Sequence, residues 1–300
     1  MTGAFRPVKT CPEMMREFFE EGKEPVFECE KRGDELPTVD KTLISLAIRI
    51  LQKGRVPTLC LDDPTEFVSP EQFVAAVKSY IEFELGIGVE SVVISITDHL
   101  DSLVGVSRKK RLLSVRVSNR PIPKRIVPSL LAHEIGTHFL RMYNDDFKHR
   151  YSWSSRKTEE GLAVLGAMFC ENNPSLWSPA LRYFACVLAS DLGFRDLFNS
   201  LSPYIENKEA RFRYCCRAKR GVQDTGQAGA FGSSQVYLIG IHELVEKRRE
   251  IDWFGLFSGI VDLNHRSSSR EWILPPFLRT ETQLDQFRSF LDQVANEFTT

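Results

Sequence analysis

Residues His133 to His138 read HEIGTH, and residues Thr158 to Ala163 read TEEGLA. Together the two strings supply two imidazoles and several carboxylates, which are the ligand types of a catalytic zinc site. In the familiar zinc-protease helix the two histidines are four residues apart and share one face. Here they are five apart, so on a regular α-helix their rings would diverge by roughly 140°.

The spacing therefore predicts a local π-helical turn between the two histidines. A single i→i+5 turn would realign the rings, and such turns occur inside α-helices mainly at functional sites. Gly136 lies between the two histidines; it has no side chain to obstruct the rewinding, and it permits close approach of a substrate backbone. We expect a distorted helix as well as a metal ion.

Coordination chemistry divides the roles among these residues. Zinc hydrolases use three protein ligands and leave the remaining position to water. His133 and His138 supply two nitrogens, and one residue of the pair 159–160 supplies an oxygen, although the residues themselves do not indicate which. Glu134 is then free to act as general base on zinc-activated water and to pass the proton to the leaving amine.

The same residues also allow an ordinary structural interpretation. His133 and His138 would then be hydrogen-bonded histidines on a half-buried helix. The acidic pair 159–160 would complement the positive end of a helix dipole behind a cap at Thr158. Each of these assignments suffices alone, but their combination, with an acidic helix start downstream of the histidines, favours the metal site.

Composition sets the class of protein. Three hundred residues with 42% hydrophobic content are enough for a substantial core, and no linker divides them. We expect one domain over 1–300, with an N-terminal part, 1–126, that contains a small sheet, and an active-site and C-terminal helical part, 127–300. The net charge of −1 gives no indication of a nucleic-acid partner.

Cysteine usage and hydropathy predict a cytosolic protein. The seven cysteines are odd in number and lack CxxC spacing, so neither a disulfide framework nor a zinc ribbon is indicated. The sequence shows no signal peptide and no apolar run of about 18 residues that could span a bilayer. We therefore expect a soluble protein with no membrane partner.

Hydrophobic periodicity predicts an α+β, mainly helical fold with a small sheet ahead of the active-site helix. The strands are expected at 92–96, a β-branched run, and at 113–117, where apolar residues alternate with polar ones. The active-site helix is expected from Pro128 to Tyr143, and the second ligand helix is expected to begin at Thr158. The other helices are predicted at 12–21, 39–52, 70–84, 179–191, 194–205, 207–219, 234–249 and 281–297. A capping box formed by Ser69 and Gln72 is expected at the start of the helix at 70–84.

A resemblance to a known family extends over most of the chain. It is carried by HEIGTH and TEEGLA, then by RAKRG at Arg217–Gly221, DTGQAGAF at Asp224–Phe231 and QVYL at Gln235–Leu238. In the order and separation of these strings the chain resembles the microtubule-associated tyrosine carboxypeptidases, cytosolic metallopeptidases that remove the C-terminal tyrosine of α-tubulin. The pair HEIGTH and TEEGLA is specific to this group and its bacterial relatives, which often have QEGLA instead.

The resemblance implies a zincin-like metallopeptidase domain. In such a domain one zinc ion would be held by His133, His138 and Glu160, and Glu134 would be the general base. The implied partner is the C-terminal tail of α-tubulin or the microtubule, and the implied location is the cytoplasm, in association with the cytoskeleton.

Carboxypeptidase action makes a separate demand on the RAKRG string. An exopeptidase that acts from the C-terminus must bind the free α-carboxylate, and arginine does so in bidentate geometry. Arg217 and Arg220 are the leading candidates, with Lys219 behind them. The alternative is that these cations cap a helix C-terminus ahead of Gly221.

Two further features bear on the substrate. Tyr237 is a candidate donor to the tetrahedral oxyanion, and otherwise it is a core aromatic residue. Basic residues are bunched along 211–220 and 247–249, and they would attract an acidic tail if the fold gathers them.

Three hypotheses about function follow. The first is a zinc metallocarboxypeptidase that removes a C-terminal tyrosine. The second is a non-hydrolytic regulatory or binding protein of the same fold, and the third is a metallopeptidase of this fold with a different substrate. Glu134 favours an enzyme, because a binding module needs no general base beside a zinc ligand.

Overall fold

The fold is described by a computed structural model that covers residues 6–7, 11–28, 38–54, 66–100, 102–109, 112–145, 149, 151–267 and 271–299. Its α-helices are α1 (Cys11–Arg16), α2 (Ile44–Lys53), α3 (Pro70–Ser79), α4 (Val127–His133), α5 (Leu140–Asn144), α6 (Trp153–Cys170), α7 (Trp177–Asp191), α8 (Phe194–Ser200), α9 (Lys208–Lys219), α10 (Val236–Glu246) and α11 (Glu281–Thr299). Its strands are β1 (Arg6–Pro7), β2 (Phe27–Glu28), β3 (Phe67–Val68), β4 (Val92–Thr97), β5 (Val104–Lys109), β6 (Leu112–Ser118) and β7 (Ile122–Pro123). The predicted α+β, mainly helical class is confirmed.

Among the described residues, three π-helical segments extend or join these helices, at Glu17–Glu21, Tyr80–Glu84 and Glu134–Phe139. The first two continue α1 and α3, so the predicted helices at 12–21 and 70–84 each combine an α-helical and a π-helical part. None of the helices within the described ranges is both long enough and apolar enough to cross a membrane.

Contacts divide the chain into two compact units, each made from two separated stretches. The first unit comprises Met1–Leu59 and Leu176–Leu238, and the second comprises Cys60–Ser175 and Ile239–Thr300. This division differs from the expected boundary between 126 and 127, because each unit joins an early segment of the chain to a late one. The single-domain organisation over 1–300 stays a prediction.

The first unit is built around α7, which packs against α2, α8 and α9. On α2 the buried residues recur at helical spacing, as the amphipathic pattern predicted. This helix begins later than the predicted residue 39. The reason lies in two tertiary hydrogen bonds: the backbone amide of Asp40 donates to Gln235 Oε1 at 2.7 Å, and that of Leu43 donates to the Tyr183 hydroxyl at 3.1 Å.

The second unit contains a three-stranded sheet in the order β4-β6-β5. Strand β6 is parallel to β4 and antiparallel to β5, with Val115 opposite both Ile94 and Val106. The alternating apolar residues of β6 are buried, as predicted. Strand β5 was not predicted, because its sequence VGVSRK is too polar to signal a strand. It contacts the π-helix Glu134–Phe139 and so brings the sheet to the candidate site.

The start of α3 agrees with the prediction from the sequence. Ser69 and Gln72 form the predicted capping box at the start of α3.

The cysteines that the structure describes are free thiols, as the absence of a disulfide pattern predicted, and they are Cys11, Cys170, Cys186, Cys215 and Cys216. Cys29 and Cys60 lie outside the described residues.

Candidate metal centre

The HEIGTH string lies where α4 passes through a π-helix into α5. Helix α4 ends at His133, and the π-helical segment covers Glu134–Phe139. The predicted wide turn is confirmed. Because the π-helical turn accommodates the fifth residue, the two rings lie on the same side of the helix. Their planes are inclined at 70°, and the Nε2 atoms of His133 and His138 are 3.3 Å apart.

The Tyr80 side chain adds a packing reason for glycine at position 136. Gly136 is buried in the π-helix, and a Cβ atom at this position would lie 2.8 Å from the hydroxyl oxygen of Tyr80. The position therefore favours glycine because the Tyr80 side chain occupies the space that a Cβ atom would need. The expected approach of a substrate backbone stays a prediction.

The TEEGLA string lies in the middle of α6. This helix begins at Trp153, and Ser152 forms a capping box with Ser155. The expectation that Thr158 begins the helix was wrong. Its side chain is buried, and its hydroxyl accepts a hydrogen bond from the backbone amide of Leu263 at 3.1 Å.

The two glutamates of this string point to different sides of His138. Helix α6 packs against α4 and the π-helix, and successive residues on a helix point about 100° apart. Glu160 Oε2 lies 3.6 Å from His138 Nε2, on the side that faces His133. Glu159 Oε1 lies 2.9 Å from His138 Nδ1, on the other side of the ring. The geometry thus separates the two residues that spacing left equivalent.

The donor set of His133, His138 and Glu160 fits a zinc ion. Their ligand atoms all lie within 4.8 Å of one another. Two donors of a tetrahedral zinc, each about 2.0 to 2.1 Å from the ion, are roughly 3.3 Å apart. Two imidazole nitrogens with one carboxylate oxygen are also an established ligand set for catalytic zinc. Glu134 does not belong to this group of converging atoms.

The charges of the cluster favour a cation. Burial opposes ionisation of His138, but the carboxylates of Glu160 and Glu159 outweigh it and raise the pKa of His138 well above its ordinary value. Burial likewise opposes ionisation of Glu160, yet His138 and His133 lower the pKa of that carboxyl to about 2. A proton on His138 and a metal ion are alternative ways to supply the positive charge, because metal ions compete with protons for such ligands.

The surroundings of Glu134 shift its ionisation. Burial raises the pKa of Glu134 to about 7, and Glu160 adds to this shift while His138 opposes it. The charges of the cluster therefore change the pKa of Glu134, although its carboxyl group is not one of the three converging ligands. A base with a pKa near the working pH is efficient in proton transfer.

Two side chains beside the cluster were missed by sequence reasoning. The Tyr151 hydroxyl donates to Glu159 Oε1 at 3.2 Å. Arg141 is fully buried and donates to the carbonyl oxygens of Leu256 at 3.0 Å and Val261 at 2.6 Å, and its charge also acts on Glu159. An arginine on a helix and a tyrosine in a polar loop carry no signal in sequence that distinguishes them from solvated residues.

The remaining predicted site residues lie in the first unit. Lys219 is the last residue of α9, and its ammonium group donates to the carbonyl oxygens of Ala189 at 3.1 Å, Gln227 at 2.6 Å and Leu192. Burial lowers the pKa of Lys219 to about 8. An ammonium group has three protons, so this arrangement leaves none for a substrate carboxylate.

Arg217 lies among other cations. Arg182, which was not predicted, lowers the pKa of Arg217, as do burial and Arg220. The guanidinium carbon of Arg182 is 4.7 Å from the ring centroid of Tyr237, which is half-buried. Within the described part of the chain, neither Arg182 nor Arg217 forms an ion pair with a carboxylate. Such a group of cations would be stabilised by a bound anion.

The helix-cap interpretation of RAKRG also has support. Helix α9 ends at Lys219, and Gly221 follows with a left-handed φ of 80°. Cations are favourable in the last turn of a helix, so the string terminates the helix whatever else its arginines do.

Comparison with known proteins identifies the relatives of this chain. No model of a known protein family matches it. It is 30% identical over 233 residues to microtubule-associated tyrosine carboxypeptidase 1 of Rattus norvegicus, an alignment that covers 74% of this chain and 48% of the rat protein. The mouse (Mus musculus) protein of that name is 33% identical over 193 residues, with 61% of this chain and 40% of the relative covered.

The chain belongs to the microtubule-associated tyrosine carboxypeptidase family. The protein of that name from Homo sapiens is 40% identical over 133 residues, which are 41% of this chain and 28% of the human protein. The chain thus spans about half the length of the curated relatives it matches, or less. In this member of the microtubule-associated tyrosine carboxypeptidase family, HEIGTH and TEEGLA meet in one cluster of the second unit, whereas RAKRG and Tyr237 belong to the first.

Proposed function

We propose that this protein is a zinc metallocarboxypeptidase of zincin-like fold that removes a C-terminal tyrosine, with the tail of α-tubulin as its substrate. The observation that carries the proposal is the convergence of His133, His138 and Glu160 within 4.8 Å. The relatives support the specificity, because their names describe tyrosine carboxypeptidases that are associated with microtubules. A location in the cytoplasm, on or near microtubules, belongs to the same proposal.

The three converging residues would hold one zinc ion. When bound, zinc supplies Lewis acidity, which polarises the scissile carbonyl and makes water a stronger acid. The residues of the chain supply the remaining parts. Glu134 accepts the proton of the attacking water on its carboxylate and then donates it to the nitrogen of the leaving tyrosine.

Substrate recognition is assigned to the arginines of RAKRG. Arg217 and Arg220 are proposed to bind the α-carboxylate of the terminal tyrosine, because Arg217 is partly buried beside Arg182 and has no carboxylate partner within the described residues. Lys219 is not proposed for this role, since its ammonium protons are used by carbonyl oxygens. Tyr237 stays a proposed donor to the oxyanion.

The presence of Glu134 argues for hydrolysis over a purely regulatory role. A protein that only bound zinc or a partner would have no need of a general base next to a zinc ligand in the sequence. A perturbed carboxyl group beside a metal cluster is typical of an active site.

The test is to incubate the purified protein with tubulin and to read the masses of the α-tubulin tails, with and without a zinc chelator. We expect loss of one tyrosine residue per tail, complete inhibition by the chelator and recovery on addition of zinc. Loss of a different residue would point to a metallopeptidase with another substrate. Zinc binding without any cleavage of tubulin or of peptides would point to the regulatory alternative.

A further inference from the structure

The ring of His138 has two sides, and the side away from the candidate ligands is occupied by Glu159. The Glu159 side chain is buried, and its Oε1 lies 2.9 Å from His138 Nδ1. A carboxylate can only accept a hydrogen bond, so Nδ1 carries the hydrogen in this contact. In a neutral imidazole this leaves the lone pair on Nε2, which is the nitrogen that faces His133 and Glu160.

Glu159 is in turn held by a second hydrogen bond. The Tyr151 hydroxyl donates to the same Oε1 at 3.2 Å, from a residue that is 49% exposed. The buried guanidinium of Arg141 places a positive charge near Glu159 from α5. The carboxylate is therefore held by the Tyr151 hydroxyl as well as by its contact with His138, although it is not one of the three converging ligands.

We propose that Glu159 and Tyr151 form an outer shell that positions His138 for the metal. Glu159 selects the tautomer with hydrogen on Nδ1 and sets the orientation of the ring, and Tyr151 keeps the accepting oxygen in place. Both are positioning residues, since they act through His138. The proposal rests on the proposed function in one respect, namely that the cluster binds zinc. Outer-shell partners of metal-bound histidines commonly contribute about 10- to 100-fold to metal affinity.

The test compares two substitutions of equal length at Glu159. Glu159→Met removes the acceptor oxygens, whereas Glu159→Gln retains one oxygen that can accept from Nδ1. Zinc affinity is measured by competition with a chromophoric chelator, and the melting temperature is measured in parallel. We expect Glu159→Met to weaken zinc binding by about 10- to 100-fold, and Glu159→Gln to stay within about threefold of the wild-type protein.

A milder substitution tests the outer link without disturbing a buried position. Tyr151→Phe should weaken zinc binding by roughly two- to fivefold, because it removes one donor to a carboxylate that keeps its other contacts. Tyr143→Phe is the matched control, since Tyr143 is also an exposed tyrosine, at 40%, on the neighbouring helix. The absorption spectrum of the cobalt-substituted protein provides a second readout, which should change with Glu159→Met and not with Tyr143→Phe.

The outcomes separate this proposal from the proposed function. If the wild-type protein binds zinc and Glu159→Met binds it equally well, or if Met and Gln at this position weaken binding equally, the outer shell is overturned while the metal site stands. If Glu159→Met does not fold, a Tyr151→Phe protein that binds zinc no more weakly than Tyr143→Phe overturns it. If the wild-type protein binds no zinc, both proposals fail together.

Discussion

In the candidate metal centre, residues that are far apart in the sequence converge, whereas in the RAKRG segment residues that are close in the sequence have different surroundings. In the metal centre, residues from two helices converge, and the ligand atoms of His133, His138 and Glu160 lie within 4.8 Å. In RAKRG, residues two apart have different surroundings: Lys219 is buried among carbonyl oxygens, and Arg217 lies beside Arg182. A run of cations on a helix is therefore not one binding surface, because each residue points about 100° away from the one before it.

The largest expected effect divides the roles inside the metal centre. Glu134→Gln keeps the shape of the side chain but cannot accept a proton, so kcat should fall by about 10²- to 10⁴-fold. Zinc content, measured by mass spectrometry of the metal, should stay at the wild-type level. Glu171→Gln, an exposed carboxyl group just after α6, should leave both values unchanged. Activity close to wild type in Glu134→Gln would place the base on another residue.

The next prediction tests whether Lys219 supports the fold rather than the substrate. Lys219→Met removes the ammonium group that donates hydrogen bonds to three carbonyl oxygens. We expect the free energy of unfolding to fall by about 2 to 4 kcal/mol. The KM for a peptide that ends in tyrosine should not change under conditions in which the protein is folded. Lys208→Met, at the exposed start of the same helix, is the control. A raised KM at unchanged stability would return Lys219 to the substrate site.

The contact between Gly136 and Tyr80 in the π-helix of the metal centre can be tested by substitution. Gly136→Ala places a methyl group against the Tyr80 hydroxyl, and such overpacking should cost about 1 to 3 kcal/mol of stability. Tyr80→Phe in the same chain should recover part of that loss, because it removes the oxygen that lies 2.8 Å from the new Cβ position. Chemical denaturation of the single and double variants gives the interaction energy. Strictly additive losses would show that another contact requires glycine here.

The smallest expected effect concerns the arginines. If RAKRG binds the terminal carboxylate, Arg217→Ala or Arg220→Ala should raise KM by about tenfold or more for a peptide that ends in free tyrosine. Amidation of the peptide should cost the wild-type protein a similar factor and the responsible variant little more, since both changes remove the same interaction.

Arg213→Ala is the matched control for these variants, because Arg213 lies on the same helix and is exposed in an ion pair with Glu209. Equal cleavage of acid and amide by the wild-type protein would indicate an endopeptidase. If the effects of amidation and of the arginine substitution on KM add in both variants, the carboxylate is bound outside RAKRG.

The features of this chain that follow from residue spacing were predictable from the sequence. The five-residue interval between His133 and His138 predicted a π-helical turn. Side chains five residues apart lie on the same side of a helix only where it makes an i→i+5 turn. The alternation of β6 and the capping box at Ser69 were likewise confirmed. The start of α6 was mistaken, since Thr158 resembles a cap but hydrogen-bonds from inside the helix to the distant Leu263.

Sequence alone thus determined the chemical inventory of this protein: two histidines at an interval that requires a π-turn, an adjacent carboxyl group, and an acidic pair on a later helix. The folded chain was needed to show that Glu160 faces the histidine nitrogens, that Glu159 and Tyr151 lie behind His138, and that Arg182 lies near Arg217. The reason is physical. Local spacing fixes directions around one helix axis, whereas contacts between helices depend on packing among residues far apart in the chain.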